Sequence, residues 1–151
     1  MNKRVVYGGG GIMPDVFVAI DTTLSSEYFG QLVRKGVLNT FALNYVDEHR
    51  DELLQRYSSV EHFRNTFAVG EVMLDALEAF ASREGVEAEP IGMERSRDLI
   101  ALRLKALIAR DLWDTAAYWQ VINAENPVDR SFQRALEILG DGTFQRLGMS
   151  R

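Results

Sequence analysis

Two patterns of apolar residues divide this chain. Between Val16 and Ile20 every position is apolar, with Val16, Val18 and Ile20 alternating with Phe17 and Ala19. Such a run suits a strand buried on both faces better than one half exposed to water. Before it stand the β-prone Val5-Val6-Tyr7, then Gly8 to Gly11, which break regularity, and Pro14, which turns Met13 away from helix. A single extended stretch over Val5–Ile20 makes no independently stable sheet, which takes about three strands. No later segment offers it a strand partner. The stretch therefore reads as the edge of a sheet whose remainder lies elsewhere.

From Asp21-Thr22-Thr23 onward the apolar period becomes helical. Leu38, Phe41, Ala42, Tyr45 and His49 share one helix face, with Asp47, Glu48, Arg50 and Asp51 largely outside it. Gly36 kinks or divides this helix from an earlier turn at Glu27–Arg34, and Ser26 is suited to start that turn. Ser58 and Glu61 have capping-box spacing for a short helix carrying Phe63 and Phe67. Val69, Met73, Leu77, Phe80 and Ala81 form the next apolar face, with Gly85 at its expected C-cap and Pro90 in the loop beyond. Leu99 to Trp113 is apolar nearly all round, interrupted mainly by Arg103, Lys105, Arg110 and Asp111. A helix of that kind belongs in the middle of a bundle. Asn126-Pro127 reads as the start of a last helix, with Val128, Phe132, Ala135, Leu136 and Leu139 on one face and Gly140 at its end.

The expected fold class is mainly α: a helical bundle preceded by a short β arm. Residues 1–22 form a terminal strand segment, 23–140 the helical domain and 141–151 a flexible tail.

Composition narrows the partners. With 46% hydrophobic and 26% charged residues the chain is globular in type rather than disordered. The formal charge is −5, and the basic residues are mixed with acids, as in Glu94-Arg95-Ser96-Arg97-Asp98. Without a cluster of positive charge a nucleic-acid partner is disfavoured. The absence of cysteine excludes disulfides and thiolate chemistry. The longest apolar run is far below the roughly 18 residues that span a bilayer, so no membrane span is expected. Lys3 and Arg4 lead into only three apolar residues before the glycines, so no signal peptide is recognised. The chain reads either as cytoplasmic or as an internal piece of a longer one.

No residue is assigned a catalytic, cofactor-binding or metal-ligating role, and no cofactor is expected. Gly8 to Gly11 invite a phosphate-loop reading, but Ile12-Met13-Pro14-Asp15 follow where a Gly-Lys-Ser/Thr and a helix are required. Close backbone packing is the simpler role for these glycines. His49 and His62 are the only histidines, and no spacing around them matches a metal set. Neither Ser25, Ser26, Ser58, Ser59, Ser82, Ser96, Ser131 nor Ser150 sits in a nucleophile elbow. Ser96 lies nine residues before Lys105, about two and a half turns, which places them on different faces of one helix. Asp15 and Asp141 suit turns. Trp113, Tyr118 and Trp119 suit core packing at a helix end, with a binding surface as the alternative.

The segment from Val6-Tyr7-Gly8-Gly9-Gly10-Gly11 through Ile12-Met13-Pro14-Asp15-Val16-Phe17-Val18 resembles a stretch of the carboxyl-terminal processing peptidases. These tail-specific serine peptidases use a Ser-Lys dyad and carry a PDZ domain. The four-glycine form, followed by Asp21-Thr22-Thr23 and a long helical tail, is similar to Bacteroidetes-type members. Phe41-Ala42-Leu43-Asn44-Tyr45-Val46-Asp47 and Leu104 to Trp113 resemble parts of that tail. In the family the dyad lies upstream of the glycine motif, so no residue here inherits a catalytic role, Lys105 included. The resemblance implies a non-catalytic C-terminal helical domain of a peptidase of the periplasm or cell envelope that cleaves proteins near their C-termini. Its implied partners are the peptidase and PDZ domains of the full-length protein and their protein substrates, with a second copy in a homodimer as a further candidate. The competing readings are a stand-alone helical adaptor or dimerisation module and, less consistent with the residues, an enzyme with an unrecognised site.

Overall fold

The computed structural model describes residues 14–126 and 129–146. Among these the chain is mainly helical and carries no β-strand. Its contacts divide it into two units, Thr22–Val128 and a smaller one combining Met1–Asp21 with Asp129–Arg151. The glycine run Gly8–Gly11, the expected strand residues before Pro14, Pro127, Val128 and the tail beyond Arg146 lie outside the described residues.

In the larger unit, α1 spans Glu27–Arg34. Ser26 opens it from extended backbone, its hydroxyl accepting the Phe29 N–H at 3.2 Å. This satisfies one of the donors that a helix start leaves without a partner. Gly36, at φ 70°, then turns the chain into α2, Val37–Arg56. The left-handed conformation suits glycine because it has no Cβ to clash with the next carbonyl. Leu38, Ala42, Val46 and Leu53 of α2 are buried, whereas Phe41, Tyr45 and His49 are only half-buried. The expected face is thus tilted: Leu38 and Ala42 are buried in the core, and the aromatic edge packs against it only in part.

The short helix α3, Val60–Thr66, is capped by Ser59, not by Ser58. Ser59 accepts the His62 N–H at 3.1 Å. Two adjacent serines compete for the same sequence signal, and the helix starts one residue later than the capping-box spacing implies. α3 delivers Phe63 to the core, and Phe67 follows at its C-cap.

Helix α4, Glu71–Arg83, buries Leu74, Leu77 and Ala81, leaving Met73 and Phe80 half-buried. It ends in a Schellman motif. The Val86 N–H reaches the Ala81 carbonyl at 2.8 Å, and the Gly85 N–H reaches that of Ser82 at 3.0 Å. Gly85 sits at φ 71° and Val86 is fully buried, which supplies the hydrophobic contact of the motif. Gly85→Ala is expected to lower stability by about 1–2 kcal/mol through the left-handed strain. Urea unfolding checks this, and an unchanged midpoint would contradict the motif's contribution.

The central helix is α5, Pro90–Leu112. Pro90 is not in the loop but in the first helical turn, where its missing N–H costs nothing. The helix therefore begins nine residues before the apolar run that announced it. Ile100, Leu104, Ala106, Ile108 and Ala109 are completely buried, and α5 packs against α1, α2 and the following helix α6. Where it meets α1, a Cβ on Gly92 would stand 3.3 Å from that of Tyr28. Close by, the buried Ser96 hydroxyl is 3.0 Å from the Leu24 carbonyl and 2.8 Å from the Ser26 hydroxyl, fixing the start of α1.

Helix α6, Thr115–Glu125, was not marked by the apolar pattern. The Asp114 carboxylate caps it, accepting the Ala117 N–H at 2.9 Å. Asn126 closes α6 instead of opening a new helix, because its N–H is bonded to the Ile122 carbonyl at 3.0 Å.

In the smaller unit, residues 14–20 form no strand. Val16 and Val18 are half-buried, while Phe17 and Ile20 are 81% and 63% exposed. An isolated extended segment has no ladder to join. Helix α7 runs from Ser131 to Gly140, starting later than Asn126-Pro127 implied. Its Ile138 is buried, but Phe132, Leu136 and Leu139 are exposed. A single turn, α8, Thr143–Arg146, stands in the expected loose tail. Asp141 accepts the Thr143 N–H at 2.8 Å, and its hydrogen bonds with Thr143 hold the carboxyl below the usual range.

Candidate functional site

A groove of about 900 Å³ lies between α2 and α4. Phe41 and Tyr45 of α2 face Met73, Ala76 and Phe80 of α4, with Val72 on the rim 84% exposed. The two helices run antiparallel. Phe41 near the start of α2 meets Phe80 near the end of α4 edge-on at 5.7 Å, and Lys35, just before α2, donates to the carbonyl of Gly85, just beyond α4. Tyr45 and His49 stack at 4.5 Å, and the His49 Nδ1 lies 2.9 Å from the Tyr45 carbonyl. Burial pushes the Tyr45 phenol above its usual pKa, and Glu52 adds to the rise.

Charges sit at the groove's ends. Glu71 stands at the start of α4 and Arg83 and Glu84 at its end, with Glu48 lining the groove from α2. Glu71 is ion-paired with Arg97, and the Arg83 guanidinium lies 5.7 Å from the Phe80 ring centre.

A second polar cluster joins three helices. Lys105, nearly buried on α5, donates to the Arg64 carbonyl at 2.6 Å and to the Glu125 carboxylate at 2.9 and 3.1 Å. The Arg64 carbonyl belongs to the last turn of α3, where carbonyls lack helical partners. Lys105 thus closes α3 and ties it to α5 and α6. The pattern along α5 marks Lys105 only as an interruption, because its partners lie 41 and 20 residues away.

The other residues weighed from sequence fall into structural places. His62 is exposed on α3, and its backbone N–H is the one capped by Ser59. Ser96 and Lys105 share α5 but have separate partners. Asp15 is exposed. Trp113 is half-buried, 5.5 Å edge-on from Phe63, and Tyr118 is buried beneath the Arg103 guanidinium at 5.3 Å. Trp119 alone of the three is exposed. Among the described residues no three His, Cys, Asp or Glu side chains gather to hold a metal ion, and no helix is long and apolar enough to cross a membrane.

Fold and groove together define a helical-bundle module with an open cleft between α2 and α4. The chain belongs to a family of unknown function (DUF8443), whose match runs over residues 28–114, from the first turn of α1 to the cap of α6. No curated protein and no solved structure matches it.

Proposed function

We propose that this chain is the non-catalytic C-terminal helical part of a Bacteroidetes-type tail-specific serine peptidase. The parent enzyme hydrolyses peptide bonds near protein C-termini in the periplasm or cell envelope, with its Ser-Lys dyad upstream of Val6. The observation that carries this reading is the order of residues from Val6 to Val18, with four glycines, Ile12, Pro14 and Asp15, leading through Asp21-Thr22-Thr23 into the helices. The exposure of Phe17 and Ile20 supports it, since an apolar segment of this kind gains from burial against a sheet. In this role the bundle packs on the catalytic domain or mediates self-association, and it contributes no reacting group.

A second reading, a stand-alone helical adaptor, is favoured by one feature. The unit Thr22–Val128 has its own continuous core, running from Tyr28 to Val121.

In a peptide-cleavage assay this chain is expected to show no turnover above background. Turnover abolished by Ser96→Ala together with Lys105→Met, in variants shown by circular dichroism to be folded, would overturn the non-catalytic assignment.

A further inference from the structure

We draw no further inference here: the strongest candidate, the groove between α2 and α4, carries nothing because nothing in the structure shows what covers it, its Glu84 end also holding Arg83 and Lys35 and its Glu71 being paired with Arg97.

Discussion

Phe63→Ala is expected to cost the helical unit about 3–5 kcal/mol, the usual range for removing a large buried ring. Phe63 is fully inaccessible and sits at the centre of an aromatic group. Phe67 stacks on it at 4.4 Å, Tyr57 meets it edge-on at 5.2 Å, and Trp113 at 5.5 Å. Those rings arrive from three places, the end of α2, the end of α3 and the end of α5, so none can move alone to fill the space. The cavity term therefore adds fully to the lost transfer energy. A unit of this size loses about 4–8 °C of Tm per kcal/mol, so a fall of about 12 °C or more is expected in a thermal melt. A loss under about 1 kcal/mol would mean that α3 is not anchored through this ring.

The second large effect concerns Lys105. Lys105→Ala is expected to cost about 2–4 kcal/mol, combining lost packing of the stem with hydrogen bonds to a carboxylate and a helix-end carbonyl. Lys105→Met retains the stem and should cost less, about 1–2 kcal/mol. Glu125→Gln should cost least, about 1 kcal/mol or below, because the Glu125 side chain is 36% exposed and water can replace part of its contact. This ranking separates a structural tie from a surface ion pair. Urea unfolding of the three variants reads it, and equal small losses for all would contradict the role of Lys105 in closing α3.

Legibility in the sequence followed the reach of each interaction. α1 could be bounded because Ser26 and Gly36 act locally, one through a hydroxyl cap and the other through its backbone. Gly85 was readable for the same reason. The central position of α5 followed from its apolar circumference, but not its start. Pro90 marks both a loop and a first helical turn, and only the packing of Gly92 and Ser96 against α1 decides between them. Asn126 is ambiguous in the same way between closing one helix and opening another. α6 went unmarked although Asp114 is a sound cap, because it buries only Ala117, Tyr118 and Val121 and shows no long stripe.

The groove was the least legible feature. Phe41 and Tyr45 on one helix, and Met73 and Phe80 on another, each read as core-facing. Periodicity shows that a face is apolar; it does not show whether two such faces close over one another. Here they meet only in part, through Phe41 and Phe80, leaving all four half-buried.

The measurement that bears most directly on the peptidase reading is the coding sequence upstream of Lys3. The account predicts an open reading frame continuing into a PDZ-bearing domain that holds a serine and a lysine in dyad arrangement. An in-frame stop codon ahead of a translation start at Met1 would contradict it, and would leave the chain as a helical module acting on its own.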